Sequence, residues 1–327
     1  MKQVTKSKQP AITGAVLFMT AFFLFFISAC DPTAEYVAWV VGDCDENGKA
    51  MLLYSDDSGN TWNRQASDIL PDNVSLTNIY AVNKNTVWVI GEQGVMLQTV
   101  NGGALWERII SDDLDENMAF HTISRYQGDI WISGYSGLIM RSSDNGNTWT
   151  VFDDSMIDNF EKVQEFLIQG ICAVNQDIIY AVGNKSTPPC GIVLRTVDGG
   201  QNWEDIDMPN KYNQNGWIGV KATDPDHVII YGGRGHFIVT ADGGKEWVTG
   251  GPLSTRDIND LVMVSSTDYW AACDYDSIIR TSDSGISWKD QPSAGASNSF
   301  LVGIDTLDGR SAPVSYTHLT LPTKRIV

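Results

Sequence analysis

The stretch SSDNGNTW, residues 142–149, gathers a hydroxyl, a carboxylate, two amides, a glycine and a tryptophan in eight positions. Catalytic loops and tight turns use these same residue types, so composition alone fits both. Five related stretches occur elsewhere: SDDSGNTW (55–62), TVNGGALW (99–106), TVDGGQNW (196–203), TADGGKEW (240–247) and TSDSGISW (281–288). One copy has Asn101 where the others have aspartate. A chemistry needed once would not be expected in every copy, so the repeat predicts a structural turn.

The spacing of the repeats predicts the architecture. The six tryptophans are separated by 44, 43, 54, 44 and 41 residues, a period typical of propellers and related repeat folds. In the second unit, short β-branched and aromatic runs occupy residues 78–82, 86–91, 95–99 and 105–110, and the other units follow the same order. Four antiparallel strands make one propeller blade. The sequence therefore predicts an all-β propeller of four-stranded antiparallel blades, with six blades visible.

The first and last units are incomplete. Unit one starts at residues 37–42 without an innermost strand, whereas residues 300–309 match the innermost-strand segments of the other units. The last segment could pair with unit one and close a six-bladed ring. We instead expect it to open a seventh blade, because it ends where the next strand should begin.

These repeats resemble the Asp boxes of the bacterial neuraminidase (BNR) type. The form VWVIGEQGVMLQTVNGG (87–103) is most similar to propellers of the photosystem II assembly-factor family, and the resemblance covers roughly residues 36–310. It implies a propeller that chaperones a partner during assembly. Sialidases, sortilin-type receptors and xyloglucan-cleaving hydrolases share the box, so the motif is specific for fold and much less so for function.

Each box is expected to be a self-satisfied turn between the third and fourth strands. The hydroxyl and the carboxylate can accept backbone amides, the glycine supplies a positive φ, and the tryptophan ring can cover the sheet while its N–H finds a carbonyl. The predicted structural residues are Ser55, Asp57, Gly59, Trp62, Thr99, Asn101, Gly103, Trp106, Ser142, Asp144, Gly146, Trp149, Thr196, Asp198, Gly200, Trp203, Thr240, Asp242, Gly244, Trp247, Thr281, Asp283, Gly285 and Trp288. No catalytic residue is predicted among them.

Both termini differ from the repeats. A cationic start, an apolar run over residues 11–29 and Cys30 resemble a bacterial lipoprotein signal, in which the cysteine carries lipid. A retained transmembrane helix is the alternative. A back-translation of residues 314–323 resembles a sequencing adapter. The expected organisation is a signal peptide at 1–29, a lipidated linker at 30–35, the propeller at 36–312 and a non-native tail at 313–327, which places the protein in the cell envelope on the exported side of a bacterial membrane.

The charge restricts the partners. With 40 acidic and 22 basic residues the net charge is −18, which disfavours nucleic acid and favours a protein partner with a basic segment. If the boxes occupy one face of the ring, function belongs on the opposite face. Its expected loops are 42–50, 111–119, 152–165, 183–191, 205–217 and 250–257, the longest lying around units three to five. The sequence thus favours a non-enzymatic, membrane-tethered scaffold that binds a protein through an acidic face.

Other functions are less well supported. An exported glycoside hydrolase or carbohydrate-binding propeller is the alternative, yet Arg141, Arg195 and Arg280 recur at one strand position, which is more typical of structure. Calcium binding through Asp43, Asp45 and Asn47 is a weak match to an EF-hand loop, and no other cofactor is expected. The histidines at 121, 227 and 236 have no recognisable nucleophile partner. Four cysteines beyond Cys30 leave three possible disulfide pairings open.

Overall fold

A computed structural model describes residues 37–316 except for 46, 58–60, 113, 115, 153–156, 159–165, 187–188, 207–215, 251–255, 276, 292–300 and 305–313. The predicted signal peptide, Cys30, Gly59 and the last part of the tail lie outside the described residues. Within the described part, no helix is long and apolar enough to cross a membrane.

The chain forms antiparallel sheets that follow one another as the blades of a propeller. Blade one contains β1 (Ala38–Gly42), β2 (Met51–Ser55) and β3 (Asn63–Arg64). Blade two contains β4 (Leu76–Ala81), β5 (Val87–Gly91), β6 (Met96–Thr99) and β7 (Glu107–Arg108). Blade three contains β8 (Phe120–Tyr126), β9 (Asp129–Gly134), β10 (Ile139–Ser142) and β11 (Thr150–Phe152). The all-β propeller prediction is confirmed.

The remaining blades have the same order with two additions. Blade four contains β12 (Ile157–Asp158), β13 (Phe166–Ala173), β14 (Ile179–Ser186), β15 (Pro189–Thr196) and β16 (Trp203–Asp205). Blade five contains β17 (Trp217–Ala222), β18 (Val228–Gly232), β19 (Phe237–Thr240) and β20 (Val248–Gly250), and blade six contains β21 (Ile258–Met263), β22 (Tyr269–Cys273), β23 (Ser277–Thr281) and β24 (Lys289–Gln291). Strands β25 (Leu301–Ile304) and β26 (Val314–Tyr316) follow blade six. Strand β12 adds to blade four in parallel with β16.

The second strand of each blade is buried on both faces. The sequence VWVIG of β5 and its counterparts β1 and β18 consist of buried residues throughout, because each blade is packed between two neighbours. Outermost strands are short and exposed, as in β7, so the fourth strand predicted at 105–110 is shorter than expected.

The core lies between blades. One cluster joins Trp39 of blade one to Leu76 and Trp106 of blade two, and four others join the following pairs in the same way. The box tryptophans of blades two to six therefore pack against the preceding blade as well as their own. This arrangement stabilises the ring as a series of neighbour contacts.

The two incomplete units occupy defined positions. Blade one has three described strands, and β1 pairs with β2 alone. Strand β25 pairs with β26, and the Ile304 amide donates to Asp260 on the innermost strand of blade six. Residues 314–316 of β26 belong to the segment expected to be non-native. The seventh blade stays a prediction.

Candidate functional site

Backbone hydrogen bonds between turns divide the loops between two faces of the ring. Box turns meet the turns that join first and second strands, as where the Gly199 amide donates to the Asp177 carbonyl oxygen. Turns between second and third strands meet the connections between blades, as where the Gly94 amide donates to the Met118 carbonyl oxygen. We call these surfaces the box face and the connection face.

The third box shows how one turn uses its own polar groups. The Ser142 hydroxyl donates to Asp144 Oδ1 at 2.8 Å and accepts the Gly146 amide at 2.7 Å. The carboxylate also accepts the backbone amide and the hydroxyl of Thr148, at 2.9 and 2.7 Å. Both carboxylate oxygens therefore have donors within the turn.

The other boxes repeat this geometry. The bond between the hydroxyl and the third position recurs at 2.7–2.9 Å in Ser55–Asp57, Thr99–Asn101, Thr196–Asp198, Thr240–Asp242 and Thr281–Asp283. Asn101 keeps the acceptor role, because its Oδ1 also accepts the Leu105 amide at 2.9 Å. An amide can replace the carboxylate in a turn, whereas it could not replace a general acid or base.

Hydrogen bonding lowers the pKa of the box carboxylates. Donation from the backbone and hydroxyl of Thr148, then from Ser142, lowers the pKa of Asp144 to about 2. Donation from the hydroxyl and backbone of Ser287 does the same for Asp283, whose pKa is about 2. The pKa values of Asp198 and Asp242 are also lowered, chiefly by the backbone amides of Asn202 and Glu246. These groups are ionised at neutral pH, which suits acceptors in a turn.

The box glycines require their residue type. Gly146 has φ +87°, and a Cβ there would overlap the ring of Trp88 on the preceding blade. Gly200 has φ +90°, and its Cβ would lie 2.7 Å from the Trp131 ring. The box is thus a contact between blades as well as a turn.

The box tryptophans differ in how their N–H groups are used. Trp288 Nε1 donates to the Gly285 carbonyl oxygen at 3.1 Å, as expected from the sequence. Trp106 Nε1 donates instead to the side chain of Gln65 at 2.9 Å. The expected carbonyl acceptor is not found for Trp149, Trp203 and Trp247, whose buried N–H groups have no hydrogen-bond partner among the described residues. Their rings pack in the core clusters between blades.

All three repeated arginines lie over aromatic rings, and two of them also pair with a carboxylate. Arg141 pairs with Asp129 at 2.6 Å, and its guanidinium carbon lies 5.2 Å from the centre of the Trp131 ring. Arg280 pairs with both oxygens of Asp268 and lies over Trp270 at 4.8 Å. Arg195 lies over Tyr180 at 5.6 Å. They occupy blades three, four and six and do not converge on one point.

The proposed calcium residues lie in the connection between β1 and β2, on the connection face. Asp45 Oδ1 accepts the amides of Asn47 and Lys49 at 2.9 and 3.0 Å, and its Oδ2 pairs with Arg64 at 2.9 Å. Burial raises the pKa of Asp43. The flanking elements are strands, and among the described residues no group of three or more His, Cys, Asp or Glu side chains is arranged to hold a metal. Calcium binding here stays a prediction.

Among the described residues the histidines and cysteines do not gather at one place, although His121 and Cys172 both line one cavity. Burial lowers the pKa of His121, His227 Nδ1 lies 3.0 Å from Asp224, and His236 meets a backbone carbonyl oxygen. Within the described part of the chain, the thiols at positions 44, 172, 190 and 273 are free.

The connection face carries exposed acidic side chains. Asp68, Asp112 and Glu116 are exposed in the connections that follow blades one and two. On blade four, β14 and β15 continue three residue pairs beyond Gly183, to Ser186↔Pro189. At about 3.3 Å per residue this hairpin projects roughly 10 Å further than its counterparts. Much of loops 152–165, 205–217 and 250–257 lies outside the described residues.

A central cavity of about 470 Å³ lies among the innermost strands, and the sequence did not predict it. Asp260 on its wall accepts the Tyr231 hydroxyl at 3.1 Å and the Ile304 amide at 3.1 Å, with Lys221 Nζ at 3.4 Å. The feature that marks the cavity is a bulge that shifts the strand register near the start of the innermost strands of blades two to six. Residues just past this bulge are small or polar: Asn78, Thr122, Gly170, Gly219 and Asp260.

The fold and the box geometry define an Asp-box β-propeller. A family model described as photosynthesis system II assembly factor YCF48 matches residues 69–156. The chain is 29% identical over 119 residues to photosystem II assembly lipoprotein Ycf48 from Synechococcus sp. (strain CC9902), which covers 36% of this chain and 32% of that protein. The matched region thus spans about a third of the length of this curated relative.

Two solved structures resemble most of the chain in fold. A structure of YCF48 bound to D1 peptide has a TM-score of 0.64 and 16% identity, covering 94% of this chain and 96% of that one. YCF48 from Cyanidioschyzon merolae has a TM-score of 0.64 and 18% identity, with 92% and 94% covered. At these identities the likeness shows a shared propeller fold.

Proposed function

We propose that this chain is a non-enzymatic, membrane-tethered scaffold that binds a protein partner through its connection face. The observation that carries the proposal is that the repeated box carboxylates are held within their own turns, whereas a connection between blades carries exposed carboxylates. On the box face, those of Asp144 and Asp283 are held by donors of their own turns. On the connection face, Asp112 and Glu116 are exposed in a blade connection. Exposed loops on a rigid scaffold are where binding residues concentrate.

The comparisons support an assembly role. The curated relative is an assembly lipoprotein, and one solved propeller of similar fold holds a peptide. We extend partner binding and the lipid anchor to this chain as parts of the proposal. The anchor is Cys30, and the location is the exported side of a bacterial envelope.

The partner is expected to carry a basic segment. The chain has a net charge of −18, so a basic segment would be attracted from a distance and guided to the surface. The ion pairs Lys49–Asp72 and Arg64–Asp45 use part of the acidic surface near blade one. The exposed pair Asp112 and Glu116 in the next connection is therefore a suitable target for mutation.

The test uses two double variants with the same change in charge. Asp112→Asn with Glu116→Gln removes two charges from the connection face, and Asp56→Asn with Asp177→Asn removes two exposed charges from the box face. Binding of a lysine-rich peptide is measured by calorimetry at low and at physiological salt. We expect the first variant to weaken binding about fivefold and the second to change it little. Equal effects of the two variants, or no dependence on salt, would contradict the proposed face.

The tether has a separate test. Replacing Cys30 with Ser should move the protein from the membrane fraction to the soluble exported fraction, because a serine cannot carry the thioether-linked lipid. A variant that stays with the membrane would show that another segment holds it there.

A further inference from the structure

The turn between β9 and β10, on the connection face, presents an aromatic ring to solvent. Tyr135 is 50% exposed, although strand β9 immediately before it is buried throughout. The centre of its ring lies 6.4 Å from that of His121 on the innermost strand β8. An exposed ring that is supported by a second ring can offer its π face to a partner.

Backbone contacts position this turn. The Tyr135 amide donates to the Ala119 carbonyl oxygen at 3.1 Å, and the Leu138 amide donates to the Tyr135 carbonyl oxygen at 3.1 Å. Gly137 has φ +72°, and a Cβ there would overlap the ring of Phe166 on blade four. The backbone that carries the tyrosine is therefore held in place before a partner arrives, which lowers the entropy cost of binding.

The same contact brings the ring close to exposed carboxylates. Ala119 belongs to the connection between blades two and three, which carries the exposed side chains of Asp112 and Glu116. The described residues provide no ion pair for either carboxylate. Glu116 lies three residues before Ala119, a span of at most about 11 Å. A basic segment that pairs with these carboxylates can therefore also reach the ring of Tyr135.

Blade six shows how a tyrosine in such a turn takes a cation. Tyr275, between β22 and β23, is 53% exposed, and the guanidinium of Arg256 lies over its ring at 5.9 Å. The equivalent backbone bond is present there, because the Asp274 amide donates to the Asp257 carbonyl oxygen at 3.2 Å. Among the described residues, no cation lies over the ring of Tyr135. Blade three thus presents to solvent the kind of ring that the chain itself covers in blade six.

The ring beside Tyr135 does not oppose a cation. Burial lowers the pKa of His121, while a hydrogen bond with the backbone of Gln169 acts in the opposite direction. The lowered pKa favours the neutral imidazole, which does not repel a positive group brought to the tyrosine. Guanidinium groups suit such a ring because they are planar, weakly hydrated and able to stack on it.

We propose that Tyr135 receives an arginine side chain from the basic segment of the partner, while Asp112 and Glu116 pair with neighbouring basic groups of that segment. This inference rests on the proposed function, because it specifies how the acidic connection and the adjacent turn share one partner. The partner is then recognised by arginine as well as by its net charge. Tyrosine and arginine are enriched among the few residues that dominate the binding energy of protein interfaces.

The first test compares two peptides of equal length and charge, hexa-arginine and hexa-lysine. Calorimetry at physiological salt measures the binding of each to the purified protein. We expect the arginine peptide to bind about three- to fivefold more tightly, as an exposed cation–π contact would provide. Equal affinities would overturn the assignment of an arginine to Tyr135. If neither peptide binds, the proposed function fails and this inference fails with it.

Variants at position 135 separate stacking from simple apolar contact. Tyr135→Phe keeps an aromatic face and should bind the arginine peptide as the wild type does. Tyr135→Leu keeps an apolar side chain but removes the π face, so its affinity for the arginine peptide should fall about three- to fivefold. Tyr275→Leu is the matched control and should leave binding unchanged, because Arg256 already lies over that ring. Melting temperatures check that all three variants fold.

The results also separate this inference from the proposed function. If Tyr135→Leu and Tyr135→Phe bind the arginine peptide equally, the stacking contact is overturned. The proposed function still stands in that case, provided that Asp112→Asn with Glu116→Gln weakens binding. An equal loss in Tyr275→Leu would likewise overturn the assignment, because exposed tyrosines in general would then account for the effect.

Discussion

Arg141 joins blade three to the box of blade four, because its Nη1 donates to the carbonyl oxygen of Gly199 at 2.7 Å. The same guanidinium pairs with Asp129 and lies over Trp131. The Arg141 side chain thus contacts an acidic side chain and an indole of its own blade and the box turn of the next blade. The boxes are therefore part of the contact between blades. Mutations in a box are expected to change the stability of the whole propeller rather than that of a single loop.

Replacing Arg141 with Leu should destabilise the protein by about 2–3 kcal/mol, because it leaves the carboxylate of Asp129 without its ion pair and the Gly199 carbonyl oxygen without its donor. Urea unfolding measures the loss. Arg108→Leu, at an exposed position of the outermost strand β7, is the control and should cost much less. Equal losses in the two variants would show that the contact between blades contributes nothing of its own.

The box carboxylates should make stability depend on pH. Asp144 and Asp283 have pKa values of about 2 in the folded protein, below the usual 3.8. A lowered folded-state pKa contributes stability above pH 4 that is lost as the pH falls from about 4 to about 2. In the double variant Asp144→Asn with Asp283→Asn, the urea midpoint should change less between pH 4 and pH 2 than it does in the wild type.

The second box offers the reverse experiment. Asn101 occupies the same position with an amide, so Asn101→Asp should add pH dependence in the same window. The urea midpoint of this variant should fall more steeply than that of the wild type below pH 4. If both sets of variants follow the wild-type profile, the low pKa values do not contribute to folding.

The indole N–H groups predict different costs for one substitution. Trp106 and Trp149 are each 5% exposed, but only Trp106 has an acceptor among the described residues, in Gln65. Trp106→Phe should therefore cost about 1 kcal/mol more than Trp149→Phe. Urea unfolding of both variants, with Gln65→Leu to remove the acceptor, gives the difference. A larger loss in Trp149→Phe would contradict this assignment.

The sequence predicted what the repeat determines locally. The spacing of Ser142, Asp144 and Gly146 is sufficient for the turn, because its hydrogen bonds all lie within four residues. The sequence could not predict contacts that depend on how neighbouring blades pack in the propeller. The sequence predicted a carbonyl acceptor for the indole N–H of Trp149, yet this N–H has no partner among the described residues. The orientation of the ring depends on packing between blades, which the local sequence does not determine.

The cavity was missed for a related reason. Asp260 and Tyr231 are 29 residues apart, and their hydrogen bond depends on how two blades meet at the centre. Pattern and period identify the strands, but not which polar side chains converge where the innermost strands approach. Most connections predicted to carry function, such as 205–217, also differ from one unit to the next, so the repeat gives no template for them.

The glycine of the third box provides a test of close packing between blades. Gly146 has φ +87°, a region that disfavours a side chain, and a Cβ would overlap Trp88 of blade two. Gly146→Ala should therefore destabilise the protein by about 2–4 kcal/mol, through backbone strain and displacement of the ring. Gly128→Ala is the matched control, because its Cβ would meet nothing within 4 Å. Urea unfolding should give a near-neutral value for Gly128→Ala. Similar values for the two variants would mean that the box does not need a glycine for packing against the preceding blade.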